Sequence, residues 1–353
     1  MPKQTFFVNE DELDDFQIQL LQKRIDRSMV VSGCAGSGKS ILALWKAKQI
    51  QDLQDGSSYK FIVFTKTLNQ YMSDGIREIG LDDGSFMHYA AWKKAGFPAA
   101  DYLIVDEIQD FGKHQITRFR NAAQKALFFW GDTAQSIFSD LPRDSERGDI
   151  QTIREIANDV GIMPDQLYHN YRLPLKIARF AAPLTEDENL VLRCKKDGPD
   201  MPKPWILKSG PLQEQLDLVM QQITNRQITD AGILFPTNDE VKQAYEYLRG
   251  KGHAVEAKYD DRQNFKNSRM DLDFSNDNPK LITYHSAKGL QFEAVFLPEC
   301  SVSYNDQRKP LYVAVTRSYR YLYIMYSTKL SRFFDVIPVD LYRDSLEEEE
   351  IRL

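Results

Sequence analysis

Residues 29–46 read MVVSGCAGSGKSILALWK, and the fold turns on this stretch. Met29, Val30 and Val31 form a short apolar run, the pattern of a buried strand, which breaks at Gly33-Cys34-Ala35-Gly36-Ser37-Gly38 before a helical pattern opens at Lys39. A G-x-x-x-x-G-K-[ST] loop between a strand and a helix is a phosphate cradle (P-loop). Its glycines let backbone N–H groups curl around phosphate oxygens, and the helix N-terminus adds the positive end of its dipole. Lys39 supplies a point charge and the Ser40 hydroxyl a ligand for Mg2+. The chain is therefore expected to bind a nucleoside triphosphate through Gly33, Cys34, Ala35, Gly36, Ser37, Gly38, Lys39 and Ser40.

Upstream of the loop, helical spacing from Leu13 to Ile25, with acids at Glu10, Glu12, Asp14 and Asp15, predicts a helix that carries Gln17. Downstream, the pattern predicts a helix from Ser40 to about Leu53, a strand at Lys60–Thr65, and a helix at Thr67–Ile79. Further strands are expected at 101–110, with acids at its carboxyl end, and at 126–132. The second half repeats the alternation after a polar, proline-bearing stretch, Lys195–Pro204, that reads as a loop. Its strands fall at 205–207, 232–235, 281–284, 294–297 and 322–326, without a second phosphate loop. Alternating strands and helices predict an α/β fold with parallel sheets.

At 353 residues the chain is long enough for two cores, so two domains are expected. A 42% hydrophobic and 27% charged composition is that of an ordinary globular protein. The net charge of −6 argues against a surface that coats nucleic acid throughout and leaves room for a basic groove. Cys34, Cys194 and Cys300 follow no metal-ligand spacing and read as free thiols of a reducing compartment. With no run of about 18 apolar residues and an acidic start, MPKQTFFVNEDELDDFQ, the expectation is a soluble, cytoplasmic protein with no membrane partner.

Asp106-Glu107 at a strand end completes the chemistry that the loop begins. Asp106 can hold Mg2+ while Glu107 orients or deprotonates the attacking water, two tasks that one carboxylate cannot easily combine. Arg172 and Arg317 are candidates to meet charge developing on the γ-phosphate.

The order of the motifs then becomes a resemblance. Gly33–Ser40, DEIQD at 106–110, GDTAQSIF at 131–138, NYR at 170–172, TYHSAKGLQF at 283–292 and LYVAVTRS at 311–318 resemble, in order, the motifs of UvrD/Rep-like superfamily 1 DNA helicases. The resemblance spans about Leu13 to Met325. It implies two RecA-like domains, at residues 1–172 and 173–335, with an acidic tail at 336–353, and ATP with Mg2+ held between the two domains. Under it Gln17 reads the adenine edge, Tyr171 stacks on the base, and Gln135 senses the γ-phosphate. Arg172 and Arg317 become two fingers, and Gly289 and Gln291 reach the nucleotide from the second domain. Phe64, Lys66, His88, Phe138, Thr283 and His285 fall in segments that track single-stranded DNA in this family, with translocation expected 3′ to 5′. Phe64 and Phe138 fit plain core residues equally well.

Three departures bear on function. Only 67 positions separate Lys39 from Asp106 and 111 separate Arg172 from Thr283, too few for the family's large inserted subdomains. The stretch after Phe138, SDLPR, lacks the tryptophan that stacks on DNA, and Gln291 stands where the family has glutamate. The expectation is a minimal DNA-stimulated ATPase that translocates on single strands. The rival reading is an ATP-gated regulatory subunit of a nuclease or a DNA-repair or defence complex. A small-molecule kinase would share the loop but not Gln135, Arg172 and Arg317.

Overall fold

The computed structural model describes residues 8, 12–34, 36–53, 55–132, 148–197, 201–261, 264, 266, 268–301 and 308–346. The chain divides into two compact units, one ending at Tyr171 and the other running from Arg172 onward. Both are mixed α/β with parallel sheets.

The first unit contains α1 (Asp15–Leu21), β1 (Met29–Gly33), α2 (Lys39–Gln51), β2 (Tyr59–Val63), α3 (Lys66–Glu78), β3 (Phe86–His88), α4 (Tyr89–Lys94), β4 (Ala100–Val105), α5 (Lys113–Ala122), β5 (Ala123–Gly131), α6 (Ile153–Val160) and β6 (Asp165–Leu167). Its six strands lie in the order β3-β2-β4-β5-β1-β6, every pair parallel. Apolar runs rather than alternating ones code for these strands because both faces of the sheet are covered. Period-two geometry then sends neighbours to opposite layers. Val31, Ile104, Phe128 and Trp130 pack with Leu42, Leu44 and Met72 of α2 and α3, while Val30, Leu103, Val105 and Phe129 pack with Trp92, Phe119 and Ile156 of α4, α5 and α6.

Helix α1 is shorter than its spacing suggested. Asp14 caps it by accepting from the Gln17 N–H at 2.7 Å, and Gln17 Oε1 accepts from the Asp14 N–H at 3.0 Å, a capping box. Its other end stops because a fully buried lysine of α2 takes up the free carbonyls: Lys46 Nζ donates to Leu21 O at 2.9 Å and to Lys23 O at 3.1 Å. Burial lowers the Lys46 pKa from 10.5 to about 8, so desolvation outweighs these carbonyls. Between about pH 8 and 10.5 the unfolded chain holds this proton and the folded chain does not, so this group makes folding more favourable as pH rises. The stability difference between wild type and Lys46→Met should therefore grow in favour of wild type, by up to about 3 kcal/mol, from pH 7.5 to 10.5 in urea unfolding. A pH-independent difference would refute the buried charge.

The second unit contains β7 (Asn170–Pro174, which starts two residues before it), α7 (Leu175–Ala181), α8 (Leu190–Arg193), β8 (Cys194–Lys196), β9 (Trp205–Lys208), α9 (Leu212–Asn225), β10 (Ala231–Phe235), α10 (Asn238–Gly250), β11 (Glu256–Ala257), β12 (Lys280–Thr283), β13 (Phe292–Leu297), α11 (Arg308–Val315) and β14 (Ser318–Tyr326). Its parallel sheet runs β11-β12-β10-β13-β14-β9. On one face Leu281, Ile233, Phe296 and Tyr323 pack with Leu216 and Val219 of α9 and Val241 and Leu248 of α10.

One expectation needs correction here. Lys195 and Lys196 lie not in a loop but in β8, which pairs with β7. Within the stretch expected as an acidic tail, residues 342–343 contact the second unit. Ile206 N donates to Arg343 O and Arg343 N to Pro204 O, both at 2.8 Å, the Arg343 guanidinium lies 5.3 Å from the Trp205 ring, and the Tyr342 ring meets Phe180 edge-on.

Candidate nucleotide site

Strand β1 ends at Gly33 and the chain turns into α2 through residues 34–38. Gly38 caps that helix at φ +85°, and a Cβ there would lie 2.5 Å from Gln17 Nε2. Only glycine satisfies both the left-handed backbone and the close approach. No side chain caps α2, so its first N–H groups are left to the loop. Lys39 is buried and donates to Gly33 O at 2.8 Å and Cys34 O at 2.9 Å, which folds its ammonium back over the loop. The Ser37 hydroxyl is buried without a hydrogen-bond partner. An ammonium over a glycine loop, free helix N–H groups and an orphaned hydroxyl together fit a polyphosphate.

The acids come from β4, which is separated from β1 by β5. Strand β4 ends at Val105, earlier than the sequence suggested, and Asp106 and Glu107 sit in the turn beyond it. Ser40 Oγ donates to Asp106 Oδ2 at 2.5 Å, joining the first helical turn of α2 to the end of β4. Burial, and the Glu107 charge beside it, push Asp106 up to about 6. Among the described residues there is no group of three or more His, Cys, Asp or Glu that could hold a metal ion. Mg2+ held by Ser40 and Asp106 would draw its other ligands from phosphate and water, its usual habit in nucleotide sites. Glu107 is nearly buried and adopts φ +54°, a left-handed backbone that costs a non-glycine residue on the order of 1–3 kcal/mol.

Gln17 reaches the loop: its Nε2 donates to Ser37 O at 3.0 Å. Tyr171 also reaches it, through its backbone N–H to Gly36 O at 3.0 Å, with its ring exposed. Cys34 Sγ donates to Tyr168 O at 3.8 Å. The loop, Gln17, Asp106, Glu107 and Tyr171 are therefore one constellation within the first unit. Ala35, Gln135 and Phe138 lie outside the described residues.

Three candidates for nucleic-acid contact lie along the same edge of the first sheet, past the carboxyl ends of β2 and β3. Phe64 is half-buried and meets Phe111 edge-on, with ring centroids 5.1 Å apart, so its ring packs against the core. Lys66 opens α3 and is exposed, and His88 caps α4 with Nδ1 accepting from the Ala91 N–H at 3.4 Å.

In the second unit Thr283 ends β12, and its Oγ1 accepts from the Ser286 N–H at 3.1 Å, closing a turn that contains half-buried His285. That turn continues through Gly289, at φ +80°, to Gln291. Arg317 lies against it: the buried guanidinium donates to Val313 O at 2.9 Å, Leu290 O at 3.4 Å and Thr316 Oγ1 at 3.2 Å. Gly289, Gln291 and Arg317 form a second group. Arg172 is half-buried near Lys196, whose pKa is lowered first by burial and then by the Arg172 charge.

Sequence reasoning did not single out Gln109 or Lys46. Gln109 could have been noticed as the amide within DEIQD, two residues beyond the acid pair; Lys46 carries no signal that sets it apart from Lys48 of the same helix.

Comparison with known proteins bears on the second unit. Residues 280–325, from β12 into β14, match the family model of the UvrD-like helicase C-terminal domain. This stretch contains Thr283, His285, Gly289, Gln291 and Arg317. Among solved structures, the chain is similar to the C-terminal domain of a possible DNA helicase from Lactobacillus plantarum WCFS1, at 19% identity and a TM-score of 0.37, covering 49% of this chain and 97% of that one. No curated protein matches the chain.

Proposed function

We propose that the chain is a minimal UvrD/Rep-like motor: an ATPase of two RecA-like domains that translocates along single-stranded DNA, 3′ to 5′. The observation that carries this reading is the junction of Lys39, Ser40, Asp106 and Glu107 at the end of a parallel sheet. The helicase-type signature at 280–325 supports it from the other unit. In this reading Lys39 leaves its carbonyl partners for the phosphates, Ser40 and Asp106 hold Mg2+, and Glu107 takes a proton from the attacking water. Bound Mg2+ would neutralise phosphate charge. Gln17 and Tyr171 select adenine, and Arg172, Arg317 and Gln135 act on the γ-phosphate. Lys66, His88, Thr283 and His285 contact the strand, with Phe64 and Phe138 as stacking candidates.

Turnover of the purified protein should rise at least about ten-fold with single-stranded DNA, and the gain should fall as salt is raised from about 50 to 200 mM, because each neutralised phosphate contributes a slope of about −0.7 in log–log form. Duplex unwinding needs a grip on the duplex, for which the short intervals hold no inserted subdomain, so strand displacement should stay weak while streptavidin is displaced from a biotinylated 5′ end. Efficient unwinding by the chain alone would overturn the minimal-motor reading. Hydrolysis indifferent to DNA would favour an ATP-gated subunit of a nuclease or other complex.

A further inference from the structure

Glu107 presents a problem that its own strand does not solve. Its backbone is left-handed and its side chain has three rotors, yet a general base must be held within hydrogen-bond reach of one water. The neighbouring turn, Ile108–Asp110, places Gln109 wholly inside the protein. Gln109 Nε2 donates to the Glu107 carboxylate, and Gln109 Oε1 accepts from the Asp132 N–H at 2.8 Å, just past the end of β5. The amide has only one workable orientation: flipped, it would set an oxygen against the carboxylate and an NH2 group against the N–H. Space for this bridge comes from Gly131, where a Cβ would lie 2.5 Å from Gln109 Oε1.

We infer that Gln109 is a positioning residue that fixes the Glu107 carboxylate by tying it to the end of β5. This deepens the ATPase reading and rests on it for the kinetic consequence. The base is then aimed by two strand ends rather than one.

The test uses the full chain and Gln109→Met, which keeps length and bulk but neither hydrogen bond. Gln109→Asn, which keeps polarity but is one carbon too short to bridge, serves if the first variant does not fold. The variant should keep KM for ATP within about three-fold while kcat falls about 30- to 100-fold, the split expected when an interaction matters chiefly in the transition state. Combined with Glu107→Asp, it should slow turnover no more than about three-fold beyond Glu107→Asp alone, because groups acting as a unit are not additive. A packing role alone would give additive losses and overturn the inference, as would a kcat near wild type. Amide hydrogen exchange at Asp132 reads the tie without turnover, and it should speed up at least about ten-fold in the variant. Unchanged exchange overturns the inference. Should wild type hydrolyse no ATP, the functional reading falls, and the exchange result alone decides the tie.

Discussion

Glu107→Gln is expected to lower ATP turnover by about 10³-fold or more while ATP still binds, whereas Lys39→Ala should lose turnover and weaken binding together. The difference follows from where the two groups sit. Lys39 lies over the loop with its ammonium 2.8–2.9 Å from two loop carbonyls, and in the proposed reading it would act on phosphate in ground and transition states alike. Glu107 lies beyond the end of β4, one residue past the aspartate bonded to Ser40, and in the proposed reading a base there would act on the attacking water rather than on the phosphates. Fluorescent-nucleotide titration alongside phosphate release checks both variants. Hydrolysis retained in Glu107→Gln would assign the base elsewhere.

Alanine at Arg172 or Arg317 should each cut the maximal rate by about 10³-fold while changing ATP affinity much less, since a finger acts on charge that develops during transfer. Arg317 needs a control. It is buried and donates to Val313 O, Leu290 O and Thr316 Oγ1, so its removal also takes buried hydrogen bonds from the turn, although Val313 O still accepts from Thr316 Oγ1 at 3.0 Å. Arg317→Lys keeps a donor and a charge but not the planar fork, and should fold like wild type while remaining slow. Thermal melts of both variants separate the two effects. A rate close to wild type in a folded Arg172→Ala or Arg317→Ala would reduce that arginine to a structural role.

The α/β character, the glycine-bearing turn between β1 and α2, the acid pair after a buried strand and most strands of both sheets were legible from residues alone. The reason is that each depends on local chemistry: a left-handed Gly38, an apolar run covered on both faces, carboxylates just past a strand end. Tertiary structure decided what depends on distant partners. Helix α1 ends at Leu21 because Lys46, twenty-five residues on, takes its carbonyl, and Lys195 and Lys196 form a strand because β7 pairs with them. Residues 342–343 pack because Trp205 and Phe180 receive them, and Gln109 becomes a bridge because β5 ends beside it. Sequence determines what a residue can do within a few neighbours, through backbone preference and periodicity; which buried polar group meets which is set only when the sheet brings separate strand ends together, since each buried polar group left unpaired costs about 1–3 kcal/mol.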